Sequence, residues 1–144
     1  MDTIKVNIAK NPTDISSIKE IRRQVFQIEQ GIDPILDFDG NDEDSDQIIA
    51  YLGKEAVGTA RIRYLSESLA KMERLAILKD YRKMGIGRKI VEYVIDYLRK
   101  KGIENITLDS QEHAKHFYEK NGFKQVGEVF EEAGIPHVKM ERKL

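Results

Sequence analysis

The sequence predicts an α/β fold with a sheet of mixed strand direction, and three observations carry the prediction. Short runs with apolar residues at every second position recur along the chain, as half-buried strands require. Two longer stretches instead repeat their apolar residues every three or four positions, the period of an amphipathic helix. The second of these is long enough to cross over between two parallel strands, whereas several of the other turns are short enough for hairpins.

The elements follow in order. Ile4, Val6 and Ile8 alternate with polar residues as a first strand. Asn11-Pro12-Thr13 breaks it and starts a helix, in which Ile15, Ile18, Ile21, Val25 and Ile28 recur until Gly31. Three β-like runs come next, QIIAYLG, AVGTARIRYL and AKMERLAIL, with short turns at Gly53-Lys54-Glu55 and Leu65-Ser66-Glu67-Ser68. The second helix places Ile86, Ile90, Val94 and Tyr97/Leu98 on one stripe, widened by Val91 and Ile95, and Gly102 ends it. ENITLD is a brief strand. A short helix follows, with Asp109 or Ser110 as its N-cap, and Asn121-Gly122 stops it just after Phe117 and Tyr118. FKQVGEVF and HVKMERKL complete the chain as two strands around an Ala-Gly-Ile-Pro turn. The order is β-α-β-β-β-α-β-α-β-β. No repeat or boundary interrupts it, so residues 1–144 read as one domain.

Composition removes several function classes. A chain of 144 residues buries roughly 68–70% of its unfolded surface, enough for a core without staples. It has no cysteine, which excludes a disulfide framework, a thiolate metal site and a cysteine nucleophile. Lys and Arg number 24 against 25 Asp and Glu, a formal net charge of −1 that offers no general affinity for nucleic acid. The start, MDTIKVNIAK, lacks the apolar segment of a signal peptide. No apolar run approaches the ~20 residues needed to span a bilayer. A soluble cytoplasmic protein, without nucleic-acid or membrane partners, is the expectation.

The stretch YRKMGIGR, residues 81–88, stands where a strand gives way to the long helix. A helix N-terminus exposes about four unpaired N–H groups and roughly half a positive charge. Glycines let the backbone approach an anion closely, and Arg82, Lys83 and Arg88 add countercharge. A pyrophosphate is the natural guest, set against an ordinary glycine turn with surface cations. The P-loop string G-x-x-x-x-G-K-[ST] does not occur. The dinucleotide fingerprint G-x-G-x-x-G fits poorly, because Ile90 stands at the third glycine and KDYRKM separates the strand from Gly85.

Two motifs in register resemble the GNAT N-acetyltransferase superfamily. Arg82-Lys83-Met84-Gly85-Ile86-Gly87 matches its [Q/R]-x-x-G-x-[G/A] signature, and Phe117-Tyr118-Glu119-Lys120-Asn121-Gly122-Phe123 matches its aromatic pair before an Asn-Gly-aromatic turn. The β-α order agrees over nearly the whole chain, and RRQVFQIEQG and GIPHVKM resemble a small bacterial branch. The resemblance implies a mostly antiparallel sheet of about seven strands, helices on both faces, and a splay between the fourth and fifth strands. It further implies acetyl-CoA as acyl donor and no metal. The pyrophosphate would lie on the backbone of Lys83, Met84, Gly85, Ile86, Gly87 and Arg88 with Arg82 nearby. The pantetheine arm would pair with Leu75-Ala76-Ile77, and Ala114, Phe117 and Tyr118 would complete the cofactor site. Gln111 stands three residues before Ala114 where the family often has Asn, which keeps the amide but moves it by a methylene.

The chemistry assigns further candidates. A lysine-like ammonium with a pKa of ~10.4 is neutral in only about one part in 2,000 at pH 7, so an acceptor amine needs a base. Tyr118 matches the family tyrosine that resembles a general acid for the departing thiolate; the alternative is a core tyrosine at a helix end. Glu73, read as sharing a strand face with Leu75 and Ile77, is a candidate base, although the family's glutamate position falls at Lys71. The alternative for Glu73 is a cross-strand partner of Arg61 or Arg63, and Arg74 is read as structural on the opposite face. His137 is a third catalytic candidate, because imidazole titrates in the working range, against a surface histidine. His113 and His116 lie three apart without a third metal ligand at sensible spacing. The acidic run DFDGNDEDSD, residues 37–46, does not fit an EF-hand, since Asp42 and Ile48 occupy the glycine and glutamate positions. It reads either as a solvated loop or as a mouth for a cationic amine beside Glu29 and Gln30. A small-molecule amine acceptor and a homodimer complete the expectations. A non-catalytic acyl-CoA sensor on the same fold is the alternative.

Overall fold

The computed structural model describes residues 3–144. In chain order these form β1 (Ile4–Ile8), α1 (Pro12–Arg22), α2 (Pro34–Asp37), β2 (Asp46–Leu52), β3 (Glu55–Tyr64), β4 (Leu69–Ile77), α3 (Ile86–Lys100), β5 (Asn105–Gln111), α4 (Lys115–Lys120), β6 (Lys124–Gln125), β7 (Phe130–Glu132) and β8 (Ile135–Lys143). After α1 the chain continues as π-helical turns over Arg23–Glu29, and 3₁₀ turns precede α3 and α4 at Lys79–Tyr81 and Glu112–Ala114. One sheet holds all eight strands in the order β1-β2-β3-β4-β5-β8-β6, with β7 also on β8. Every pairing is antiparallel except β4 with β5, the pair that α3 connects. This is the α/β architecture expected from the alternating periods.

Helices cover both faces. The α3 stripe of Ile86, Ile90, Val91, Val94 and Leu98 packs on Ile48, Ile62, Met72 and Ile106 in the larger core. On the other face, Ile21, Val25 and Phe26 pack on Ala76. Gly58 in β3 lets α3 and β4 pack closely: a Cβ there would meet Ile77 Cδ1 of β4 at 2.8 Å and Ile90 Cδ1 of α3 at 3.0 Å, so these side-chain ends would have to shift.

Two features set the geometry of β4. First, its ladder with β5 has only three register pairs, Leu69↔Asn105, Ala70↔Ile106 and Lys71↔Thr107, after which the strands part. Second, Thr59 to Arg61 of β3 oppose Ala76 to Glu73 of β4, so β4 carries an extra residue, a β-bulge. Arg74 takes the bulge conformation with φ 56°. A bulge reverses the in-out alternation beyond it. Ala70 and Met72 therefore share the α3-side core with Leu75 and Ile77, while Ala76 faces α1. Glu73 consequently lies on the face opposite Leu75 and Ile77, correcting the expectation from simple alternation. Arg74 reaches the same α1-side cluster as Glu73, also against expectation, with its guanidinium on the Leu36 and Asp37 carbonyls at 2.9 and 3.2 Å.

Two smaller departures have local causes. Asp109 and Ser110 do not cap α4; they pair with Lys139 and Val138 as part of β5, which runs on to Gln111. FKQVGEVF is not one strand, because Gly127 at φ 84° breaks it into β6 and the approach to β7.

Three acids of the run are tied down by guanidinium groups, while Glu43 and Asp44 are exposed as in a solvated loop. Asp37, 2% exposed, meets Arg22, 1% exposed, at 3.0 Å. Arg22 also reaches Asp42 at 2.7 Å and lies 4.5 Å over the Phe38 ring. Arg61 holds Asp39 at 2.8 Å, Asp42 at 3.1 Å and Glu73 at 2.9 Å. The loop thus closes over guanidinium groups supplied by α1, β3 and β4. Removing one partner of a buried pair leaves an uncompensated charge, whereas an apolar replacement of both is close to neutral. Arg22→Ala is expected to cost about 3–5 kcal/mol in urea unfolding, and the pair Arg22→Met/Asp37→Leu is expected to recover most of that loss.

Arg61 holds the Asp39 carboxyl well below the usual carboxylate range. A lowered folded-state pKa stabilises the protein above the unfolded value of about 3.9, and the contribution fades as pH falls below it. The stability gap between wild type and Asp39→Asn is therefore expected to be largest near neutrality and to shrink below about pH 4, read from urea midpoints across pH.

Candidate active site

Where β4 and β5 part, a cleft of about 910 Å³ opens through the sheet. Its walls join the two elements that the sequence singled out, the β4 end and the glycine turn. Leu75, Ala76 and Ile77 line it, and their β5-facing backbone edge has no strand beside it, because the β4–β5 ladder ends at Lys71. At one end stands the α3 N-terminus. Lys83 at φ 67° and Gly85 at φ 80° turn the chain into the helix, and Gly85 offers no side-chain cap to its first N–H groups. A non-glycine residue at such a φ is strained, a conformation that clusters at ligand sites. Gly87 leaves room for Phe117, whose Cζ a Cβ there would press on at 3.2 Å. Arg82, Lys83, Gly85, Ile86, Gly87 and Arg88 all border the cleft, as do Gln111, Ala114, Phe117 and Tyr118. Met84 does not; it is 48% exposed outside the lining.

The Arg82 side chain is engaged elsewhere than on the turn. Its Nη1 and Nη2 bind the two Glu29 oxygens at 2.6 and 2.7 Å, and its Nε donates to the Ile77 carbonyl at 3.0 Å. The guanidinium holds the Glu29 carboxyl below its ordinary range. Gln30 and Gln111 exchange amide hydrogen bonds at 2.8 and 3.3 Å, and His113 Nε2 lies 2.6 Å from Gln111 Oε1. Glu29 and Gln30 end the π-helical turns, whose wide i→i+5 pattern closes with Gln30 N–H donating to Val25 O. The two expected acceptor-side residues therefore strap the π-helical segment to the glycine turn and to the end of β5.

Tyr118 is positioned by aromatic packing. Its ring meets Phe117 and Phe123 edge-on at 5.1 and 5.9 Å. Burial alone pushes its hydroxyl pKa up, so the group stays a proton donor across the working range. Glu73 has the environment of a structural carboxylate: Oε1 lies 2.9 Å from Arg61 and 3.0 Å from Arg63 Nε, and Oε2 lies 3.6 Å from Lys71. Lys71 in turn meets Asp109 at 3.0 Å, a side-chain bridge across the fork just past the last backbone pair. His137 is no surface histidine; it is 6% exposed and borders the cleft.

The cleft also contains residues that the sequence reading did not assign to the site. Arg63, Lys71 and Asp109 approach it from three adjacent strands, and Glu132 and Ala133 come from the β7–β8 turn. A signal for the last two was present in the spacing, since a Glu-Ala-Gly turn directly precedes Ile135-Pro136-His137.

With this geometry in view, comparison with known proteins identifies the relatives. Residues 34–144 match the family described as the Acetyltransferase (GNAT) domain. A Bacillus subtilis (strain 168) protein provisionally named an acetyltransferase is 41% identical over 134 residues, covering 90% of each chain. The crystal structure of Escherichia coli ElaA superposes with a TM-score of 0.84 at 26% identity, covering 99% of each chain. A GNAT family acetyltransferase from Elizabethkingia anophelis, whose structure has acetyl-CoA bound, shares the fold at a TM-score of 0.79 and 15% identity over the full length of both chains. The cleft in the parted sheet is thus that of an acyltransferase fold, and the chain belongs to the GNAT acetyltransferase family.

Proposed function

We propose that this protein is an N-acetyltransferase that moves the acetyl group of acetyl-CoA directly to a small-molecule amine. One observation carries the reading: an unpaired strand edge and an uncapped helix N-terminus share one cleft. The edge suits an amide-bearing arm that pairs as a strand would, and the helix end suits a pyrophosphate. The relative with acetyl-CoA bound supports the same donor.

The residues divide the work. Backbone N–H groups of residues 85–88, with Lys83 and Arg88, hold the diphosphate. The open edge of Leu75–Ile77 orients the thioester and provides N–H donors for its carbonyl oxygen, where negative charge develops. Tyr118 supplies the proton that the leaving sulfur needs. Glu29 and Gln30 stand on the acceptor side of the lip. With no cysteine available, no thioester forms on the protein.

A second reading has its own observation. Glu73 is occupied by three cations, and a site with no base at all would be an acyl-CoA sensor. Calorimetric titration of acetyl-CoA is expected to give micromolar binding by the wild type. Gly85→Asp, which adds a negative side chain at a positive φ, is expected to weaken it by about 10- to 100-fold through lost charge-assisted hydrogen bonds. With an active amine, Tyr118→Phe is expected to lower kcat by about 100-fold or more while changing the acetyl-CoA dissociation constant far less. Tight binding without thiol release on any amine would favour the sensor, and no binding would remove both readings.

A further inference from the structure

We infer that His137, not Glu73, is the base that deprotonates the acceptor amine, with Glu132 stabilising the imidazolium it becomes. The inference rests on the acyl-transfer reading above, and it starts from the ring's hydrogen bonds. His137 Nδ1 lies 2.7 Å from the Ile135 carbonyl oxygen. A carbonyl only accepts, so Nδ1 carries a proton and the neutral ring has its lone pair on Nε2. Nε2 has no hydrogen-bond partner among the described residues, and Glu132 Oε2 stands 3.5 Å away.

The ring is also fixed in place. It stacks on Phe130 at 5.9 Å and 29°. Its backbone pairs with Gln111 at the cleft end of β5. The turn Ala133-Gly134 joins β7 to β8, with φ 52° and 74° at its two central residues, as a two-residue hairpin of this kind requires. Alanine there is strained. That hairpin sets Glu132 opposite Ile135, so the carbonyl that fixes the tautomer and the carboxylate beside Nε2 come from one register pair. The other charged or titratable groups on neighbouring elements are spoken for or turned outward. His113 is bonded to Gln111, Asp109 to Lys71, and Lys139 is exposed further along β8.

Glu73 is a poorer base for a reason of packing. Taking up a proton would strip a counter-ion from Arg61, which is 1% exposed. Glu132 is 52% exposed at its side chain and free to shift as an ammonium enters.

The step balances as follows. The acceptor ammonium gives one proton to His137 Nε2, and the freed lone pair forms the C–N bond at the thioester carbonyl carbon. The C–S bond breaks with its electron pair on sulfur, which takes the Tyr118 hydroxyl proton. The nitrogen's second proton neutralises the Tyr118 phenolate, and Nε2 releases the first proton to solvent.

The test uses the full chain and His137→Asn, whose amide can still donate to the Ile135 carbonyl but cannot act as a base; His137→Gln is the second variant should the first not fold. Nitrogen NMR of the wild-type imidazole is expected to show the Nδ1–H tautomer; an Nε2–H tautomer would overturn the proposal without any turnover. Acetyl-CoA calorimetry on the variant is expected to match wild type within about twofold, which separates loss of the base from loss of the cofactor site. Turnover is read with tyramine, spermidine and glucosamine, using the amine that releases thiol fastest. His137→Asn is expected to lower kcat/KM by about 100-fold or more near neutrality and to move the acid limb of the pH profile up to the pKa of the amine, so that activity recovers as pH approaches that value. A structural defect would not recover with pH. Wild-type activity that survives in His137→Asn with its acid limb intact, or that loses that limb in Glu73→Gln instead, would refute the assignment. Wild type that binds acetyl-CoA but acetylates none of the three would overturn it together with the acyltransfer reading.

Discussion

The site depends on one interruption of backbone pairing, the point past Lys71 where β4 and β5 stop sharing hydrogen bonds. A buried N–H or C=O left without a partner costs about 1–3 kcal/mol, so a parted sheet needs other contacts to stay parted. The Arg74 bulge re-aims the end of β4, and its guanidinium is held by the carbonyls of Leu36 and Asp37. The Lys71–Asp109 bridge takes over at the fork where the ladder ends. On the opposite face, α3 is seated tightly against β3 at Gly58. Each contact fixes one wall of the opening, and the unpaired strand edge is what remains for a ligand.

Electrostatics serves this geometry more than it attracts a substrate. Asp37, Asp39, Asp42 and Glu73 are matched by Arg22, Arg61, Arg63 and Arg74 within one cluster. Such a cluster costs desolvation and gives back little net stability, but its directional bonds specify a single arrangement. Here they close the loop before β2 over the α1 side of the cleft. Three acids of the run 37–46 thus serve as an internal fastening.

The lip is built by the same economy of local geometry. Turns of π-helix carry Glu29 and Gln30 out to Arg82 and Gln111, so one segment touches both the glycine turn and the end of β5. Across the cleft, the β7–β8 hairpin brings Glu132 and His137 together, because a positive-φ turn sets the register of its two strands.

The sequence by itself determined most of the strands, the α3 crossover, the glycine turn and the aromatic pair at Phe117-Tyr118. All of these depend on contacts within a few residues: alternation, helical stripes, a cradle made of contiguous backbone. For that reason Gly85, Gly87 and Tyr118 were legible with the fold. Only the tertiary structure decided which face Glu73 occupies, because one inserted residue at Arg74 inverts a two-residue period without any mark in composition. It alone decided that Asp37, Asp39 and Asp42 pair with Arg22 and Arg61, and that His137 is buried with Nδ1 against the Ile135 carbonyl. Charge pairing and burial are set by what chain folding brings from distant positions, and a single sequence contains the partners without saying which will meet.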